Sequence, residues 1–147
     1  PANQFVAGFI GSPAMNFVRG TLQPTPAGLD FDEGQIRFPV PRRWLEDLRG
    51  YAGQQVTLGI RPEDLHAPGG APPVGECAAI AARVEVVEPM GNEVLLYLSA
   101  GATSLVARLG PQYMPQVGEQ VDLVAEVDKA HFFACDTEVS LAGNRAR

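Results

Sequence analysis

The chain has 147 residues, 46% of them hydrophobic, and a net charge of −6 at neutral pH. That length suits one domain or two small subdomains, and its core needs no disulfide or metal staple. The negative charge and the lack of any basic cluster larger than Arg42-Arg43 argue against a nucleic-acid groove and against an anionic lipid surface.

No apolar run reaches the ~18 residues of a membrane span, and no basic region followed by an apolar core opens the chain. Asn3 can cap a short helix through Phe5, Val6, Phe9 and Ile10, ended by Gly11 and Ser12-Pro13. Phe5 and Phe9 share a face of that helix and need a partner surface. From there the period becomes two. Phe17 to Leu22 reads as a strand. Leu29–Asp32 and Ile36–Val40 read as a hairpin about Glu33-Gly34. Pro41 opens a short helix with Trp44, Leu45 and Leu48 on one side and Gly50 at its end. Val56, Leu58 and Ile60 alternate on another strand, which Pro62 stops.

Residues 66–75, HAPGGAPPVG, form a Pro/Gly-rich loop or internal boundary. Beyond it, strands are expected around Val84–Val86, Val94–Leu98 and Leu105–Leu109, with Pro89–Asn92 as a turn. Val121, Leu123, Ala125 and Val127 alternate with Asp122 and Glu126, which are expected to face outward. Phe132 to Cys135 closes the series. Eight to ten short strands separated by turns predict a mainly β fold, an antiparallel barrel or a pair of small barrels.

Catalytic signatures are missing: there is no GxxxxGK[ST], GxSxG or HExxH. Glu63, Asp64, Glu85 and Glu88 read as solvated or turn carboxylates, and the chain is read as not itself an enzyme, with no metal site. Cys77 and Cys135, each in an apolar run, are expected to be buried free thiols. His66 and His131 are expected at the surface or half-buried. Two polar stretches stand out. Ile60–Asp64 is either a loop locked by a local Arg61–carboxylate pair or a contact between domains or subunits. Glu88–Gly91 is a turn whose exposed Met90 could touch a partner.

Three segments carry a resemblance. PANQFVAGFIGSPAMNF at 1–17 resembles the stretch that follows the nucleotide-binding domain in sugar-import ABC transporter ATPases of the maltose, trehalose and sn-glycerol-3-phosphate type. LGIRPEDL at 58–65 and VEVVEPMGNEVLLYL at 84–98 resemble two further hallmarks of their carboxy-terminal regulatory domain, in the same order. The resemblance implies an OB-like, molybdate-domain-related (TOBE) barrel over residues 14–147, divisible near 66–75, behind a connector helix at 1–13 from an upstream ATPase domain. It implies a cytoplasmic homodimer at the inner face of the membrane, bound only indirectly to the transporter's membrane subunits. ATP and Mg would belong to the upstream domain, and this chain would hold no cofactor. Some relatives also receive an inhibitory protein of the sugar phosphotransferase system. Candidate inter-domain or dimer contacts are Phe5, Phe9, Arg61, Glu63, Asp64, Glu88 and Met90. Two rival functions are a small-oxyanion-binding module and an OB-type nucleic-acid binder. The single lysine, Lys129, and the 7% aromatic content count against each in turn.

Overall fold

The computed structural model describes residues 14–70, 73, 75–135 and 140–142. The expected connector helix, with Phe5 and Phe9, lies outside them. The described strands are β1 (Asn16–Thr25), β2 (Gly28–Asp32), β3 (Arg37–Pro39), β4 (Gln55–Ile60), β5 (Leu65–His66), β6 (Ala78–Pro89), β7 (Val94–Ala100), β8 (Thr103–Leu109), β9 (Gln120–Ala125), β10 (His131–Ala134) and β11 (Ser140–Ala142). Between β3 and β4 runs a helical segment. It has a 3₁₀ turn at Arg42–Trp44, one α turn, α1 (Leu45–Leu48), and a second 3₁₀ turn at Arg49–Tyr51. Pro41 supplies the extended residue before it, and Trp44 and Leu48 are its buried residues.

All strand pairs are antiparallel and fall into two sheets, as the mainly β reading requires. The first has the order β11-β10-β4-β1-β2-β3, the second β5-β9-β6-β7-β8. The expected alternation is visible in β1, which buries Asn16, Val18, Gly20 and Leu22 and turns Arg19 and Gln23 to solvent. Gly20 is required there. A Cβ would lie 2.6 Å from the Phe31 ring, and Phe31 in turn stacks on Phe38 at 5.4 Å. In the second sheet β6 carries a bulge between Val84 and Val86. The extra residue shifts the inward face from Val84 to Val87 and leaves Val86 50% exposed.

The second sheet curls until its two edges face each other. The turn at Pro62–Asp64, just ahead of edge strand β5, packs on edge strand β8. One apolar core runs continuously from Leu22, Phe31 and Leu58 of the first sheet to Leu96, Leu105 and Leu123 of the second. β4 is buried on both faces. Val56, Leu58 and Ile60 join the common core, while a smaller cluster of Met15, Phe133 and Phe17 lies over Gly59.

Asn16 fastens the two sheets. It stands at an inward position of β1, and its side-chain amide meets the outer edge of β8. Asn16 Nδ2 donates to the Val106 carbonyl at 2.9 Å, and the Val106 N–H donates to Asn16 Oδ1 at 2.7 Å. The side chain stands in for one residue of a neighbouring strand. Asn16→Ala is therefore expected to leave two half-buried backbone groups unpaired and to cost about 2–3 kcal/mol. Urea unfolding followed by the fluorescence of Trp44 measures this. An unchanged midpoint would show that the clasp contributes nothing.

Candidate functional site

The chain crosses from the first sheet to the second after β4 and back again after β9. Both crossings are 3₁₀ turns. At the first, Pro62 lacks an N–H and fixes its own φ, so the ladder of β4 cannot continue. The Asp64 N–H closes the turn on the Arg61 carbonyl at 2.9 Å. At the second, Val127–Lys129 turns between β9 and β10. The two crossings are stitched together by the Glu126 N–H, which donates to the Asp64 carbonyl at 2.9 Å.

This seam corrects the sequence reading in three respects. Regular pairing in β9 ends at Ala125 and does not run to Val127, and Glu126 points inward with 5% exposure. It turns in because the crossing starts there, so the period of two no longer governs it. Its carboxylate pairs with His66 Nε2 and with Lys129 Nζ, the latter at 3.3 Å. Burial alone would raise the Glu126 pKa, but hydrogen bonds from His66 and Lys129 outweigh burial and hold it below the ordinary glutamate value. Second, the expected Arg61–carboxylate lock is not what holds the loop. Among the described residues Arg61 has no carboxylate within 4.0 Å, and backbone bonds close the turn instead. Asp64 is buried beside it at 7% exposure, and that burial raises its pKa even against the charge of Lys129. Third, neither cysteine is deeply buried. Cys77 lies exposed just ahead of β6, and Cys135 is half-buried beyond β10 with its Sγ 3.5 Å from Thr57 Oγ1. His66 and His131 are half-buried, as expected.

Between the crossings opens a cleft of about 360 Å³, walled by Arg43, Trp44, Arg61, Asp64, Asp128 and Lys129. Arg43 is fixed from two sides. Its guanidinium lies 4.3 Å from the Trp44 ring centroid and 3.3 Å from Asp128 Oδ2.

The second candidate stretch forms the tip of the β6–β7 hairpin. The Met90 N–H donates to the Glu93 carbonyl at 2.8 Å, and Gly91 takes the left-handed φ of +72° that the turn requires. Met90 is 50% exposed. Glu88 accepts a hydrogen bond from the Tyr97 hydroxyl at 3.0 Å, which raises the Tyr97 pKa. The structure brings the two stretches together through Arg108 of β8. Its Nε lies 3.3 Å from Glu93, and its Nη1 lies 3.9 Å from Glu63. Sequence reasoning passed over Arg108. Its outward parity between Ala107 and Leu109 was the available signal.

The charges of the seam have opposite signatures in acid. A depressed carboxylate pKa contributes stability above the ordinary value, 4.5 for Glu126, and that stability is lost as pH falls through the folded value. Glu126→Gln is thus expected to cost about 1–2 kcal/mol at neutral pH, with the gap to wild type closing in acid. Asp64, with its raised pKa, acts the other way. Asp64→Asn is expected to stabilise the fold at neutral pH, with the gain vanishing below the ordinary 3.8. Thermal midpoints measured across pH distinguish the two, and parallel curves for wild type and both variants would refute the assignment.

Comparison with known proteins places this geometry in a family. Residues 11–65 match the MalK OB fold domain, and residues 58–133 match the TOBE domain. The two matches overlap at the first sheet crossing. Over 143 residues the chain is 38% identical to the uncharacterized ABC transporter ATP-binding protein YcjV of Escherichia coli O6:H1, covering 96% of this chain and 37% of that protein. It is 36% identical to the oligosaccharides import ATP-binding protein MsmX of Bacillus subtilis, covering 96% and 38%. It is 37% identical to the multiple sugar-binding transport ATP-binding protein MsmK of Streptococcus mutans, covering 96% and 37%. The chain therefore spans a little over a third of the length of these relatives. The solved structure of the cytoplasmic molybdate-binding protein ModG superposes with a TM-score of 0.60, over 81% of this chain and 95% of that one, at 14% identity. That likeness shows the fold. With the TOBE match extending from the end of β4 through β10, the chain belongs to the TOBE domain family.

Proposed function

We propose that this chain is the regulatory and dimerisation domain of the ATP-binding subunit of a carbohydrate ABC importer. One observation carries the reading. The TOBE match over 58–133 sits within 36–38% identity to ATP-binding proteins of ABC transporters, two of them named for oligosaccharide or sugar transport. ATP and Mg would be handled by an ATPase domain ahead of residue 14, with Phe5 and Phe9 in the connector packed against it. The membrane subunits would be engaged only through that domain, on the cytoplasmic face. A regulatory protein is a further partner consistent with this role.

The physical role is tethering. Two ATPase domains held through their regulatory domains face each other at a high effective concentration, whichever state of the cycle they occupy. A closed two-fold contact uses the same patch on both copies. Among the described residues, Met90 and Glu88, at the hairpin tip, and Glu63, tied to that tip through Arg108, are the exposed members of the candidate set. Arg61 and Asp64 shape the turn behind them.

Light scattering on the purified chain is expected to give the mass of a dimer at about 10 μM. Met90→Lys is expected to shift the population toward monomer with an unchanged thermal midpoint. The chain is expected to turn over no ATP. A wild-type monomer persisting to about 500 μM would overturn the tethering role.

A further inference from the structure

We propose that the cleft between the two sheet crossings binds a neutral vicinal diol, the chemistry of a sugar or polyol. This goes beyond the tethering role and does not depend on it.

The first observation is a carboxyl group with no protein partner for its side chain. Asp64 is 7% exposed, lines the cleft, and has no side-chain hydrogen bond or ion pair among the described residues. Buried polar groups in folded proteins nearly always have a partner. Arg61, three residues earlier on the same turn, lines the same cleft and has no carboxylate within 4.0 Å among the described residues. Trp44, 6% exposed, contributes its ring to the lining. An acceptor and a set of donors without protein partners thus line one space.

The second observation is the balance of charge. Arg43, Arg61 and Lys129, with His131 beside them, face Asp64 and Asp128, and the buried Glu126 stands behind Lys129. An anion drawn to Arg61 would meet Asp64, and a cation drawn to Asp64 would meet Arg61 and Lys129. A hydroxyl group donates and accepts at once. Adjacent hydroxyls can donate to Asp64 and accept from Arg61 without placing net charge beside either. The volume of about 360 Å³ is at the small end of the range for small-molecule sites.

The third observation is that the walls are already set. Asp128 and Trp44 hold Arg43, Glu126 holds Lys129, and the Asp64 carbonyl holds the Glu126 backbone. Apart from Arg61, little ordering entropy remains to be lost on binding. A ligand here touches both crossings and the helical segment of the first sheet. It would favour whichever relative placement of the sheets keeps those contacts, which is the requirement for an effector.

The test is titration of the ¹⁵N-labelled chain with glucose, maltose and glycerol, with sodium phosphate and sodium glutamate as charged controls. The expected result is saturable shifts of the amides of Glu63–Leu65 and Glu126–His131 by a sugar or glycerol, with a Kd of about 1–10 mM. Asp64→Asn keeps the shape and removes the charged acceptor, so it is expected to weaken that binding about tenfold while the thermal midpoint holds or rises. Arg61→Gln provides the same reading from the donor side if Asp64→Asn fails to fold. The proposal falls if none of the three neutral ligands moves these amides up to about 100 mM. It falls too if phosphate or glutamate moves them at lower concentration, or if the variants bind as tightly as wild type.

Discussion

A strand edge pressed against the rest of a protein cannot leave its N–H and C=O groups unpaired. The way β8 meets this demand sets how the two sheets lie. β8 ends the second sheet, and among the described residues no further strand pairs with it there. At Val106 the missing partner is a side chain, the amide of Asn16, which offers a donor and an acceptor in the spacing of a peptide group. An inner strand of one sheet is thereby joined to an edge strand of the other. Nearby, Thr103 donates to Glu33 at 2.7 Å, a second tie between the same two sheets. The shared apolar core supplies most of the cohesion, but it is non-directional. The polar ties specify which residue faces which.

The seam beside that clasp is built from charge. Both crossings are short 3₁₀ turns, and each brings a carboxyl group inside, Asp64 at one and Glu126 at the other. The two are treated differently. Glu126 receives His66 and Lys129 and stays ionised, while Asp64 has only distant cations and is strained by its burial. Two acids a few residues from the same junction are thus driven apart in proton affinity by their surroundings. The salt links outside the seam, such as Arg108 with Glu63 and Glu93, are part-exposed and each contributes at most about 1 kcal/mol. Their effect is to set position, keeping the hairpin tip and the first crossing in one neighbourhood.

Much of the fold was legible in the chain. Alternation located the first four strands, the β6–β9 series and β10, and Pro62 and Gly91 marked breaks that the structure keeps. What alternation could not reach was the point at which it ceases to apply. Val127 continues the spacing of Val121, Leu123 and Ala125, yet pairing stops at Ala125, and the parity that would expose Glu126 stops with it. Asn16 was legible in principle, since it shares the parity of Val18 and Leu22, but its partner lies 90 residues away. For the candidate site, the sequence singled out Arg61–Asp64 and Glu88–Met90. It could not show that Arg108 links them, or that Trp44, Arg43 and Lys129 converge on the first, because those residues come from separate elements.

The order of strands in the first sheet has a consequence for biosynthesis. β4 pairs with β1 on one side and with β10 on the other, and β10 is made some seventy residues later. A nascent chain that has emerged only as far as β4 carries a bare, apolar strand edge, and the whole second sheet must be synthesised before the cover arrives. In that interval the edge is open to pairing with another chain.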